Sequence, residues 1–363
     1  MDDSAFFRQN LLAWHAGHQR PLPWKGERDP YKVWLSEVIL QQTRVEQGLP
    51  YYERFTTAYP TVRQLAEARE DEVLKHWEGL GYYSRARNLH ASAKHIAFEH
   101  GGVFPNTYAG IRALPGVGDY TAAAVASFAF GLPHAVLDGN VYRVLARFFG
   151  IETPVGSPAA KQVFAALAQR LLDTGRPGAY NQAIMDFGAG HCTPRQPACV
   201  ECPMANRCSA HLSGAVHRLP VKKQATAKQH RFFVYAIFQQ GGRVWVCQRE
   251  ASDIWANLYE FPLLELPAEP TDTSALPKYL LRHFFPEGVP RGIAPCGVSK
   301  AYRQTLSHRI VTAYFVELGV DEKTEPLVFQ NDALKKCRAV EQVNLKKILA
   351  VPRIIEWYWR ERP

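Results

Sequence analysis

From the N-terminus to about residue 210, apolar positions recur every three or four residues between short Gly- and Pro-marked turns. Asp29-Pro30 is an N-cap followed by proline at the first helical position, and predicts a helix from Tyr31 to about Gln47. Similar spacing predicts helices over Arg63–Trp77, Ser84–Glu99, Tyr120–Phe130, Val141–Phe149 and Pro158–Leu172. Ser209 to His230 is polar and basic, shows no period, and reads as a linker over 209–230. Beyond it the texture changes. Phe232–Phe238 and Val244–Cys247 are short β-rich runs separated by Gly241-Gly242, which predicts a hairpin and a mixed α/β domain over 231–350. No internal repeat or low-complexity segment interrupts either part.

With 363 residues, 47% of them hydrophobic, the chain is long enough for two or three domains that each bury a core. No run of 18 apolar residues occurs, so no membrane span is expected. Met1-Asp2-Asp3-Ser4 lacks the basic and apolar blocks of a signal or transit peptide, and a reducing, cytoplasmic compartment is expected. The formal charge of +9 is unevenly placed. Cys202 to Arg249 contains eight Lys or Arg and no Asp or Glu, which points to a polyanion such as nucleic acid. A basic linker without a partner is the plainer alternative.

Four cysteines concentrate the candidate chemistry. Cys192, Cys199, Cys202 and Cys208 stand as C-x6-C-x2-C-x5-C, whereas Cys247, Cys296 and Cys337 are scattered. Four thiolates at this spacing suit a soft metal centre. The uneven intervals favour a cubane cluster over the paired C-x2-C knuckles of a zinc ribbon. Leu114-Pro115-Gly116-Val117-Gly118 predicts a tight turn between two helices. Its glycines would let backbone amides approach a phosphate at a helix N-terminus, although such turns are also common structural devices. Asp138, in Leu137-Asp138-Gly139-Asn140, is either a helix N-cap or a functional carboxylate. Glu37 shares the apolar side of its helix with Val33, Trp34, Leu40 and Gln41. An acid there is either ion-paired or desolvated, and desolvation keeps a proton available near neutral pH. One proton donor beside one ionised carboxylate is the pairing that cleaves glycosidic bonds.

Together the hairpin, Asp138 and the cysteine set resemble the endonuclease III superfamily of helix-hairpin-helix DNA glycosylases with a 4Fe–4S cluster. Within it, Ser36–Val45 (SEVILQQTRV), Gly79–Arg85 (GLGYYSR) and Leu137–Val141 (LDGNV) are similar to the adenine DNA glycosylases of the MutY type. The resemblance covers about residues 6–210 closely and the C-terminal part more loosely. It implies a mainly α, two-lobed glycosylase over 1–208. A six-helix lobe would span about 24–130, and a cluster lobe would combine the N-terminal helix with about 131–208. A C-terminal α/β Nudix-like domain would read 8-oxoguanine. The implied reaction removes adenine mispaired with 8-oxoguanine or guanine in double-stranded DNA, after the nucleotide is flipped out.

In residue terms, the resemblance implies that Glu37 protonates adenine at N7 and that Asp138 stabilises the sugar cation. Tyr120 and Asn140 would support that carboxylate and the attacking water. Gln42 and Tyr82 would wedge into the duplex, while Thr43 and Leu80 would contact the lesion strand. Gly116 and Gly118 would meet the backbone, and Cys192, Cys199, Cys202 and Cys208 would hold the 4Fe–4S cluster.

Where strand-cutting relatives carry a lysine, this chain has Tyr120, which cannot form a Schiff base, and a further lysine of some relatives is Tyr142. A monofunctional enzyme that leaves an abasic site is expected. Between Pro262 and Gly297 no R-E-x-x-E-E helix exists to hold magnesium, so the C-terminal domain is expected to bind rather than hydrolyse. Leu306-Ser307-His308 stands where the family reads the lesion with Phe-Ser-His, and Lys25 replaces a common arginine. The competing readings are a pyrimidine glycosylase with lyase activity and a non-catalytic iron–sulfur DNA-binding protein. No oligomerisation seam is legible, and a monomer is the default.

Overall fold

The computed structural model describes residues 2–223, 227–250, 253–324 and 336–361. Its contacts separate two compact units: residues 1–67 with 88–225, and residues 68–87 with 226–363. The segment 68–87 falls in the expected six-helix stretch of 24–130, yet it clusters with the C-terminal unit.

The chain begins with helices α1 (Asp3–Ala16), α2 (Pro30–Leu40), α3 (Val45–Ala58), α4 (Val62–Glu67), α5 (Glu70–Trp77) and α6 (Ser84–Lys94). It continues with α7 (Tyr108–Ala113), α8 (Asp119–Phe128), α9 (Gly139–Phe149), α10 (Pro158–Leu171), α11 (Pro177–Asp186) and α12 (Ser209–Leu212). The helix predicted to run to Gln47 stops at Leu40. Gln41 leaves helical dihedrals and Gln42 adopts φ +54°, so the chain turns before α3 restarts at Val45. A left-handed glutamine inside a strongly apolar helical pattern is invisible to periodicity. Likewise the span predicted over Arg63–Trp77 divides into α4 and α5, and Ser84–Glu99 ends in a π-helical turn over His95–Glu99.

Around α8 the first unit packs small side chains. Ala122 to Ala126 are all buried there, which lets neighbouring helices approach closely. Its core gathers Phe7 and Leu11 of α1, Val141, Val144 and Leu145 of α9, and Phe164 and Leu167 of α10. Residues 209–223, expected to be linker, do not behave as one. Ala210, Ala215 and Leu219 are buried together, and Lys222 bridges in parallel to Val155. Apolar residues spaced at 210, 215 and 219 follow neither a helical nor a strand period, which hid the ordered packing. Residues 224–226 of the same stretch lie outside the described residues.

In the second unit, β1 (Gln229–Gln240) and β2 (Arg243–Gln248) form the expected hairpin, with Gly241 and Gly242 both at positive φ. The sheet is completed by β3 (Tyr259–Glu260), β4 (Leu263–Leu266), β5 (Ile293–Val298), β6 (Tyr302–Thr305), β7 (Arg309–Val320) and β8 (Arg338–Glu341). Strand β1 lies parallel to β7 at the centre, and the order is β3-β2-β1-β7-β5. Both faces are covered, so β1 reads as a continuous apolar run. Phe233, Tyr235 and Ile237 face one core with Leu345 of α14 (Gln342–Ile348) and Ile354 of α15 (Arg353–Arg360). Val234, Ala236 and Phe238 face the other, with Leu280 and Phe284 of α13 (Leu276–Phe284). The unit thus runs past 350 to α15, whose Ile354, Ile355, Tyr358 and Trp359 complete the first of these cores. Helix α13 reads LPKYLLRHF and carries no carboxylate. Cys247 and Cys337, 90 residues apart, are joined by a disulfide between β2 and the start of β8.

Candidate active site

Glu37 occupies the middle of α2, a helix buried on nearly every side from Val33 to Ile39. The side chain is 6% exposed, and its Oε2 accepts a 2.6 Å hydrogen bond from the Tyr120 hydroxyl at the start of α8. Burial raises the carboxyl pKa to about 7; the Tyr120 hydrogen bond opposes the rise, and the nearby Asp138 charge adds to it. Tyr120 is itself pushed well above the ordinary phenol value, first by burial and then by the charges of Glu37 and Asp138. It stays a neutral donor.

Asp138 is the N-cap of α9. Its Oδ1 accepts from the Val141 amide at 2.8 Å, and its Oδ2 accepts from Asn140 Nδ2 at 2.8 Å. Burial raises its pKa, while the donors from Val141 and Asn140 and the charge of Arg143 pull the other way and favour the ionised form. The residue caps the helix, and it also lines the wall of the cleft. The Tyr120 hydroxyl, expected to support Asp138 and the attacking water, is hydrogen-bonded to Glu37. Position 120 is the second residue of α8, and sequence alone could not say which acid it meets.

These groups line one cleft of about 1170 Å³ in the first unit, with Gln42, Thr43, Gly116, Gly118 and Asn140 also on its wall. Gly116 has φ +72°, and a Cβ there would lie 2.4 Å from the Asn88 Cβ, so two separate constraints demand glycine. Gly118, at φ −88°, meets neither constraint; an added Cβ would project into open space. The turn between Leu114 and Gly118 thus leaves room at the N-terminus of α8.

Several contacts around the cleft have no local signal in the sequence. Lys25 donates to Asp186 Oδ2 at 2.6 Å, and His15 Nε2 lies 3.1 Å from the same oxygen. Although desolvation opposes it, these two partners hold the Asp186 carboxyl below its usual value. The charge retained at Lys25 is thereby explained, but Asp186 is 161 residues away and no local pattern joins them. Arg143 donates to Asn140 Oδ1, to the Gly188 carbonyl and to the Cys192 carbonyl, tying the cleft to the cysteine loop. A Cβ at Gly188 would sit 2.6 Å from the Asn140 Cβ, so this glycine makes space for that asparagine.

Cys192, Cys199, Cys202 and Cys208 line a common cavity, all half-buried with free thiols. Burial pushes the Cys199 and Cys208 thiols up and Cys202 to about 11, so four thiolates here require a compensating cationic centre. Arg147, 3% exposed, donates to Cys192 Sγ at 3.4 Å and to the carbonyls of Thr193 and Pro194. The donor set and its positively charged support fit an iron–sulfur cluster. Within the same loop Arg195 is exposed, whereas Arg207 contacts Asp3 and stacks over Phe6.

In the second unit, Tyr82 and Ser307 meet through a 2.7 Å hydrogen bond between their hydroxyls. Tyr82 is 48% exposed with φ +49°, Leu80 is buried, and Ser307 and His308 are exposed. Leu306, the departure from the family loop, packs against the sheet core, and its carbonyl accepts from Lys228.

A family model described as HhH-GPD superfamily base excision DNA repair protein matches residues 35–171. The iron-sulfur binding domain of endonuclease III matches 192–208, and a NUDIX domain matches 233–359. The chain is 35% identical over 261 residues to the adenine DNA glycosylase of Buchnera aphidicola subsp. Baizongia pistaciae, covering 70% of this chain and 73% of that one. It is 45% identical over 213 residues to the Homo sapiens adenine DNA glycosylase, covering 56% of this chain and 39% of the human one. A thermostable thymine-DNA glycosylase of solved structure superposes with a TM-score of 0.53 at 30% identity, over 58% of this chain and 97% of its own. An iron–sulfur cluster of the endonuclease III type is accordingly part of the protein. The chain belongs to the adenine DNA glycosylase family, within the helix-hairpin-helix superfamily of base excision repair enzymes.

Proposed function

We propose that this enzyme hydrolyses the N-glycosidic bond of adenine mispaired with 8-oxoguanine or guanine in duplex DNA, and that it leaves an abasic site. The observation that carries the reading is a cleft with two acids in different settings: Glu37 is buried and raised to about 7, whereas half-buried Asp138, also pushed up by burial, has donors from Val141 and Asn140 that favour its ionised form. Adenine departs poorly as an anion, so Glu37 gives its proton to N7 of the flipped base. The glycosidic electron pair then leaves with a neutral purine. Positive charge develops on the sugar, and ionised Asp138 faces it, steadied by Asn140 and the Val141 amide. Water adds to the anomeric carbon, and the proton it loses returns Glu37 to its acid form while Asp138 stays ionised. Tyr120 keeps Glu37 oriented for the transfer.

Gln42, in the turn after α2, wedges into the duplex, Thr43 contacts the lesion strand, and the open amide edge at Gly116 and Gly118 meets the DNA backbone. Tyr82 wedges into the duplex, Leu80 supports contact with the lesion strand, and Ser307 with His308 reads 8-oxoguanine. Cys192, Cys199, Cys202 and Cys208 would hold the 4Fe–4S cluster, which supplies a rigid crosslink for its loop. The protein acts as a monomer inside the cell. Lys25 lines the cleft, but its amine is committed to Asp186 and is no nucleophile, in keeping with a monofunctional reaction.

The test is single-turnover reaction with duplexes pairing adenine with 8-oxoguanine, guanine or thymine, with free base and strand breaks scored separately. Adenine release from the first two without strand cleavage is expected. Release from none of them, or efficient nicking without heat or alkali, would overturn the reading.

A further inference from the structure

Tyr82 holds a left-handed backbone conformation that crowds an L-residue's Cβ against the following carbonyl, and its ring is half in solvent. Something must keep it there. The preceding carbonyl, that of Gly81, accepts two hydrogen bonds, one from Trp77 Nε1 at 2.9 Å and one from Arg85 Nη2 at 3.1 Å. The Arg85 guanidinium carbon lies 5.0 Å from the Trp77 ring centroid and 5.6 Å from that of Tyr82. Trp77 is fully buried and Arg85 is 8% exposed. A single guanidinium therefore touches the buried indole, the exposed phenol ring and the carbonyl between them. Drying a guanidinium is costly, and burial pulls its pKa down to about 10; contacts with two rings and a carbonyl offset part of that. Lysine could supply the charge but neither the plane nor the fork.

We propose that Arg85 is a positioning residue that pre-sets Tyr82 as a rigid wedge before DNA arrives, by bracing the Tyr82 ring against Trp77 and fixing the Gly81 carbonyl. The inference rests on the reading of Tyr82 as a DNA-contacting wedge. A wedge already in its bound geometry loses no ordering entropy when it enters the stack, so the benefit appears in the rate of base release as well as in affinity.

The full-length holoenzyme is compared with Arg85→Lys, Arg85→Gln, Tyr82→Leu and the Arg85→Lys/Tyr82→Leu double variant, each checked for an unchanged cluster spectrum and thermal midpoint. Ring signals of Tyr82 are followed without DNA in 13C-tyrosine-labelled protein, assigned by their loss in Tyr82→Leu. Adenine release is measured in single turnover on the adenine:8-oxoguanine duplex. Both Arg85 variants should move or broaden the Tyr82 signals and slow release by about tenfold, well inside the range that misplacement produces. The double variant should be no slower than Tyr82→Leu alone. Unmoved Tyr82 signals, or a double variant with additive losses, would overturn the proposal and leave the wedge reading standing. Wild-type release by Tyr82→Leu with moved signals in Arg85→Lys would instead place the failure in the wedge reading, and the proposal would fall with it. If one Arg85 variant loses the cluster or the thermal midpoint, the other decides.

Discussion

At the scale of single residues, Glu37 trades stability for chemistry. Its folded pKa of about 7 stands above the ordinary 4.5, so between those values the native state binds more protons than the unfolded one. Stability is undiminished below about pH 4.5, falls as pH rises, and has lost this contribution above about pH 7. The difference is on the order of 3 kcal/mol. Glu37→Gln should therefore raise the thermal midpoint at pH 8 but not at pH 4.5, while slowing adenine release by about 10²–10⁴-fold. Calorimetry at the two pH values checks the first half; an equal effect at both would contradict a desolvated carboxylate. Sequence periodicity placed Glu37 on an apolar face but could not identify Tyr120 as its hydrogen-bond partner, because 83 residues separate them. The same limit concealed the Lys25–Asp186 pair and the Arg143 contacts. Short spacing was enough for the four cysteines and for Asp138 as a cap.

Among the elements, the turn between α7 and α8 makes the sharpest contrast. Gly116→Ala adds left-handed strain to a collision with Asn88 and should destabilise the protein by about 2–4 kcal/mol. Gly118→Ala meets no neighbour. Thermal unfolding should leave it near wild type, while DNA affinity falls if its open side receives a phosphate. Loss of stability in Gly118→Ala, or none in Gly116→Ala, would refute this division. The turn itself was legible because two glycines punctuate helical patterns, whereas the break at Gln42 was not, since nothing in the local composition opposes continued helix. In the second unit, three arginines converge on Asp253: Arg231, Arg249 and Arg309. Though desolvation works against it, the Arg231 hydrogen bond and the other donors hold its pKa at about 2, below the ordinary 3.8. Its stabilisation is present above about pH 4 and lost as pH falls toward 2. Partial exposure limits it to about 1 kcal/mol, and Asp253→Asn should abolish that pH dependence.

For the whole molecule, the net charge of +9 predicts strongly salt-dependent DNA binding. A plot of log affinity against log salt should fall with a slope of about −4 or steeper if five or more phosphates are neutralised. A flat plot would exclude a charge-driven interface. Ser307→Ala should reduce release from adenine:8-oxoguanine by about 2–10-fold, the worth of one hydrogen bond, with little change on adenine:guanine. Equal losses on both would remove Ser307 from lesion reading. The central claim is that one cleft holds an acid that keeps its proton and an acid that yields it. The pH dependence of single-turnover adenine release tests this most directly. Wild-type rates should decline as pH rises through about 7 as Glu37 ionises, Asp138→Asn should be slow at every pH with DNA still bound, and Glu37→Gln should be slow without the decline. A Glu37→Gln variant that kept the wild-type rate and its alkaline decline would contradict the account.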